Sequence, residues 1–133
     1  MNKATGDTYF VIDFDSTFTK VEALDILCEI SLEKSDSREE NLNRIKEITD
    51  LGMLGEISFR ESLEERISLL HAHRDHLPEL VDRLSNLVSE SFTRNKKFIA
   101  DYSEKIFILS NGFKDFIVPV VKPFGIKPEN VYA

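Results

Sequence analysis

The chain has one cysteine, Cys28, in 133 residues. An internal disulfide is therefore excluded, and a lone thiol suits a reducing compartment. Long apolar runs are also missing: the longest are far too short to span a bilayer, so no membrane partner is expected. Positive charge is in deficit, with 17 Lys and Arg against 24 Asp and Glu and a net charge of −7. Nucleic acids are held by Lys and Arg surfaces, so they are excluded as partners, whereas a small phosphorylated metabolite at one local site is not. The stretch from Met1 to Thr8 lacks the basic and apolar blocks of a signal peptide, and the expected localisation is cytoplasmic. Repeats and low-complexity tracts are absent, and the oligomeric state stays open. What is present, 41% hydrophobic and 31% charged residues, is ordinary for a soluble globular protein. The length fits one domain, or a core with a small attached cap, and can bury a core without a structural metal.

Tyr9-Phe10-Val11-Ile12 is a continuous apolar, β-prone run, the pattern of a strand buried on both faces. It stops at Asp13-Phe14-Asp15-Ser16-Thr17, where a loop is expected. A second run, Ile106-Phe107-Ile108-Leu109, leads into Ser110-Asn111-Gly112, and a third begins at Asn130-Val131-Tyr132. Between the first two, apolar periodicity predicts helices over 20–32, 39–51, 56–70 and 77–88, with a further one near 92–102. Residues 113–124 also read as helical, although Pro119 must kink or shorten that helix. The pattern predicts an α/β fold: a Rossmann-like parallel-sheet core with an inserted α-helical cap, truncated at the C-terminus. The core takes 1–19 and 91–133, and the cap takes 20–90. Both polar clusters fall just behind strand ends, the edge where open α/β sheets bind ligands.

Asp13-x-Asp15-x-Thr17 is the central signal. Two carboxylates two residues apart, where a strand becomes a loop, can be aimed at one substrate. A carboxylate can attack phosphorus and form an aspartyl-phosphate, splitting one hard displacement into two easier ones. The second carboxyl can protonate the leaving alcohol and later deprotonate the attacking water. Attack of an anion on an anion needs charge neutralisation, so a hard cation such as Mg²⁺ is expected. The second cluster, Ser110-Asn111-Gly112-Phe113, offers hydroxyl and N–H donors to a phosphate at a helix start.

At these residues the sequence resembles the haloacid dehalogenase superfamily, and within it the phosphoserine phosphatases. Asp13, Asp15 and Thr17 match the first motif, and Ser110 matches the second. The resemblance implies that Asp13 is the nucleophile and a metal ligand. It makes Asp15 the general acid/base, lending its backbone carbonyl to the metal, with Mg²⁺ the cofactor. Ser110 and the N–H groups after it, those of Asn111 and Gly112, would hold phosphoryl oxygens, with Thr17 beside them. Glu22, Met53, Phe59 and Arg66 reproduce the spacing of the family's substrate pocket. A zwitterionic substrate needs an anion for its ammonium, a role for Glu22, and a forked guanidinium for its carboxylate, a role for Arg66. Met53 and Phe59 would line the pocket and exclude water.

Two positions depart from the family pattern: Asn111 and Leu54 stand where glycines are usual. The third motif, a lysine, and the fourth, an acidic metal site, fall beyond Ala133. The chain as given is therefore expected to bind Mg²⁺ poorly and to turn over little. The implied activity is hydrolysis of O-phospho-L-serine to serine and phosphate, in serine biosynthesis. Three alternatives stay open: another small phosphate ester, a fusion with a serine-pathway dehydrogenase, and a non-catalytic phosphate-binding regulatory domain. His71, His73 and His76 are not read as a zinc site, because helix residues two apart face different directions and no cysteine cluster helps.

Overall fold

The computed structural model describes residues 8–133; residues 1–7 of the polar stretch read above as lacking a signal peptide lie outside the described residues. Strands β1 (Phe10–Asp13), β2 (Ile106–Leu109) and β3 (Val131–Tyr132) form one parallel sheet in that order. Asp13 stands opposite Leu109, and Leu109 opposite Tyr132, so the strands end on a common line. The helices are α1 (Ala23–Ser31), α2 (Arg38–Leu54), α3 (Phe59–Leu70), α4 (Leu77–Ser85), α5 (Glu90–Arg94), α6 (Lys96–Asp101) and α7 (Lys114–Val121). The fold is α/β with a parallel sheet, as the strand–helix alternation predicts. No helix among the described residues is long and apolar enough to cross a membrane.

The chain divides into two compact units, one of residues 1–24 and 77–133 and one of residues 25–76. The first holds the sheet, α4 and α7, which pack on each other. Helix α4 thus groups with the sheet, although its sequence falls inside the long excursion between strands. The second unit centres on α2 packed along α3.

The strands are not buried on both faces. Successive side chains of a strand alternate between faces. Ile106, Ile108 and Val131 share the face that is buried. The other face carries Val11, which is 67% exposed, Phe107, Leu109 and Tyr132, which is 55% exposed. The rings of Tyr9, Phe107 and Tyr132 form a row across it, with centroids 6.1 and 6.2 Å apart. Among the described residues nothing covers this face, so an apolar run that reads as two-sided is one-sided here.

Helix ends follow local chemistry. Helix α2 runs past the predicted 51 to Leu54, where Gly55, left-handed at φ 74°, stops it. Helix α3 starts at a reciprocal cap: Ser58 Oγ accepts from the Glu61 N–H, and the Ser58 N–H donates to Glu61 Oε2. The helix predicted near 92–102 is two short ones, α5 and α6, broken at Asn95. Pro119 is tolerated inside α7, but the helix ends two residues later at Val121 rather than continuing to 124.

Candidate active site

Strand β1 runs directly into a wide turn, Phe14–Phe18, whose first and last residues are completely buried. Their rings stack at 6.0 Å, Phe14 also meets Phe116, and Phe18 also meets Phe92 and Phe124. These two aromatics anchor the turn in the core of the first unit and leave Ser16 and Thr17 exposed between them, with Asp15 partly buried. Thr19, also buried, closes the turn: its N–H donates to the Phe14 carbonyl and its hydroxyl to the Val21 carbonyl at 2.8 Å. The Thr17 carbonyl accepts from Ser89 Oγ at 2.6 Å, so the displayed segment is held from its far side too.

Inside the turn, Ser16 adopts a left-handed conformation, φ 55°, uncommon for a residue with a side chain. Its hydroxyl donates to Glu22 Oε1 at 2.6 Å. Asp15 Oδ1 accepts from the Ala23 N–H at 2.7 Å, which places a carboxyl at the positive start of α1. Burial pushes the Asp15 carboxyl above its ordinary value. The Ala23 N–H pulls it down, the negative charges of Glu22 and Asp13 push it up, and the nearby Ser110 side chain pulls it down again. Asp15, behind β1, is thus within electrostatic reach of Ser110, behind β2.

The loop behind β2 is tight. The Ser110 N–H donates to the Tyr132 carbonyl, and the Gly112 N–H donates to Ser110 Oγ at 2.9 Å. A Cβ on Gly112 would lie 3.1 Å from Phe116 Cζ and 3.2 Å from both Ile117 Cδ1 and Ser110 Oγ, so only glycine fits without displacing its neighbours. Val11, Asp13, Leu109, Ser110 and Asn111 line a cavity of about 480 Å³ at the ends of β1 and β2.

Of the residues singled out from the sequence, Asp13, Asp15, Thr17, Glu22, Ser110, Asn111 and Gly112 lie in the first unit. Asp13, Ser110 and Asn111 share the cavity, while Asp15 and Glu22 are linked to it through the contacts just described. Thr17 is exposed. Met53, Phe59 and Arg66 lie in the second unit. Met53 is 81% exposed and Phe59 is 51% exposed, so neither is a core residue. Arg66 is half-buried, and its Nε donates to the Ser62 carbonyl at 3.2 Å. Two groups escaped the sequence reading: the Ser16 hydroxyl and the Ala23 N–H. A serine followed closely by a glutamate in a polar turn was the available signal for the first; nothing local announces the second.

A carboxylate on Asp13 and a backbone carbonyl on Asp15 are hard oxygen donors of the kind Mg²⁺ takes. They are two of the six such an ion needs. Among the described residues no group of three or more His, Cys, Asp or Glu side chains is placed to hold a metal. The donors present fit the ion in kind, and waters and a phosphoryl oxygen ordinarily complete such a shell.

No family model matches the chain. Curated relatives do. Phosphoserine phosphatase of Drosophila melanogaster is 24% identical over 121 residues, 91% of this chain and 42% of that protein. Phosphoserine phosphatase of Streptococcus thermophilus is 31% identical over 120 residues, 87% of this chain and 50% of that protein. The crystal structure of a phosphoserine phosphohydrolase-like protein from Francisella tularensis superposes with a TM-score of 0.77 at 33% identity. Along most of its length the chain is similar to phosphoserine phosphatases. The likeness to the solved structure extends over 95% of this chain and 57% of the solved one, so it takes in both units. The chain spans about half the length of the curated relatives it matches.

Proposed function

We propose that the protein is a phosphomonoester hydrolase that works through an aspartyl-phosphate on Asp13, with O-phospho-L-serine as its preferred substrate. The observation that carries this reading is the setting of Asp15. Its carboxyl is raised by burial, accepts from the Ala23 N–H, and lies within electrostatic reach of Asp13 and of Ser110 at the neighbouring strand end. Two carboxyls with different surroundings at one sheet edge are what separate nucleophile and acid roles require. The names of the relatives support the substrate.

In this mechanism an Asp13 carboxylate oxygen forms a bond to phosphorus as the ester oxygen departs. Asp15, favoured in its protonated form by burial, gives its proton to that oxygen, and the alcohol leaves. Asp15 then takes a proton from a water that attacks the same phosphorus. The bond to Asp13 breaks, inorganic phosphate is released, and both carboxyls return to their starting states. The Ala23 N–H, fixed on Asp15 Oδ1, holds the acid's orientation and leaves its other oxygen for the transfer. Mg²⁺, held by the Asp13 carboxylate and the Asp15 carbonyl, would neutralise phosphoryl charge. Glu22, oriented by Ser16, takes the substrate ammonium. The family resemblance assigns Arg66 the carboxylate and gives Met53 and Phe59 the exclusion of water.

Phosphate release from phosphoserine by the full-length protein with Mg²⁺ tests this reading. Asp13→Asn, folded as judged by circular dichroism, is expected to lose at least about a thousandfold in turnover. Retention of activity by that variant would eliminate the mechanism.

A further inference from the structure

Glu22 is held differently from most engaged carboxylates of this chain. Glu47, Glu64, Glu65, Glu79, Glu90 and Glu104 each meet a lysine or an arginine. Glu22 forms no ion pair among the described residues. What holds it is a neutral donor, Ser16 Oγ, 2.6 Å from Oε1. A hydroxyl orients a carboxylate without cancelling its charge, whereas a lysine does both. The Ser16 backbone grips the same stretch: its N–H donates to the Val21 carbonyl at 3.1 Å, which also accepts from Thr19 Oγ1. On the other side of Glu22, the Ala23 N–H donates to Asp15 Oδ1. The turn behind β1 is thus laced to residues 21, 22 and 23 in succession, and the Glu22 charge is felt at the Asp15 carboxyl. Ser16 itself sits at φ 55°, where a glycine would be relaxed but would bring no hydroxyl.

We propose that Ser16 is a positioning residue for amine recognition, its hydroxyl tying Glu22 Oε1 so that the carboxylate, still charged, presents Oε2 to a cationic group of the substrate. The proposal rests on the phosphatase reading above and deepens it. Ser16 touches no substrate and acts through Glu22. An untethered glutamate must be ordered when a ligand binds, at a cost in entropy, and here the ordering precedes the ligand. The hydroxyl therefore sets how strongly the site prefers an ester bearing an ammonium over the same ester without one.

The probes are phosphoserine and 3-phosphonooxypropanoate, the same ester lacking the amino group, given to the full-length protein with Mg²⁺. Ser16→Gly removes the hydroxyl and suits the left-handed backbone, so the turn keeps its shape. It is expected to lower the preference for phosphoserine, read as the ratio of the two kcat/KM values, about tenfold, the usual effect of one hydrogen bond to a charged group. The loss should lie in the KM for phosphoserine rather than in kcat. On a Glu22→Gln background, with no anion left to hold, adding Ser16→Gly should change that ratio by less than about twofold. An equal loss on both esters would make Ser16 a turn residue only and overturn the proposal. An unchanged ratio in Ser16→Gly, or a full tenfold fall on the Glu22→Gln background, would overturn it too. Each of these results leaves the phosphatase reading standing when the wild type releases phosphate from phosphoserine. Release from neither ester by the wild type would defeat that reading, and the role of Ser16 with it.

Discussion

At the scale of single residues, two carboxyls of the same chemical type are separated by where their backbone puts them. Asp13 ends a strand and lies at the cavity, while Asp15 is drawn back against the start of α1 by the Ala23 N–H. Burial raises the Asp15 carboxyl above its ordinary value, which suits it to the acid role at the leaving group. Asp15→Asn is therefore expected to slow hydrolysis of an alkyl phosphate about a hundredfold or more, and to slow an aryl phosphate much less. A good leaving group needs no proton. Steady-state kinetics with the two esters checks this, and an equal loss on both would assign Asp15 another role.

At the scale of elements, helix ends and helix contacts give the sharpest expectations. The Glu61 carboxyl is held below its ordinary value of 4.5 by the Ser58 N–H and then by the Ser58 hydroxyl. A carboxyl lowered in the folded state stabilises at pH above its unfolded value and loses that contribution as pH falls through the folded one. The start of α3 should therefore loosen in acid, below pH 4.5. Hydrogen exchange of the Ser58 amide reports it, and Glu61→Gln should abolish the pH dependence. A second expectation concerns α2 and α3, which approach closely at Gly52, where a Cβ would lie 2.9 Å from Ser62 Oγ. Ser62 is buried and donates to the Ile48 carbonyl, so it has little freedom to move aside. Gly52→Ala should destabilise the unit by about 1–3 kcal/mol in thermal or denaturant unfolding. An unchanged midpoint would mean that the two helices slide apart at little cost.

Much of this scale is legible in the sequence, and the reasons for the rest are physical. Apolar runs that end abruptly at Asp13 and Ser110 mark strand ends, because both the burial and its interruption are written locally. The Ser58–Glu61 cap has a local signature too, four residues long, although the pattern that predicts α3 is its apolar spacing alone. The exposed face of β1 and β2 is not legible. Val11 and Leu109 are as apolar as Ile12 and Ile108, and side-chain type does not say whether a helix arrives to cover them. The left-handed Ser16 is equally silent, since its conformation follows from the anchoring of Phe14 and Phe18 on either side.

At the scale of the whole molecule, the open sheet face is the largest departure from expectation. Parallel sheets ordinarily carry helices on both sides. Tyr9, Val11, Leu109 and Tyr132, exposed around a half-buried Phe107, form an apolar patch of the sort that binds hydrophobic dyes. The 133-residue chain should enhance 1-anilinonaphthalene-8-sulfonate fluorescence while folded, and Val11→Lys with Leu109→Lys should reduce it. Absence of dye binding would show that this face is covered in solution. Asp13 shares the edge of that face, so chemistry and patch meet where β1 and β2 end.

The account turns on a covalent bond between Asp13 and phosphorus, and that bond can be sought directly. Full-length protein turning over phosphoserine with Mg²⁺ would be quenched in acid, reduced with borohydride, digested and read by mass spectrometry. A phosphorylated aspartate is converted to homoserine by this treatment. The account predicts homoserine at position 13, present only when substrate was present and missing in Asp13→Asn. Turnover with aspartate intact at position 13, or homoserine at any other position, would contradict it.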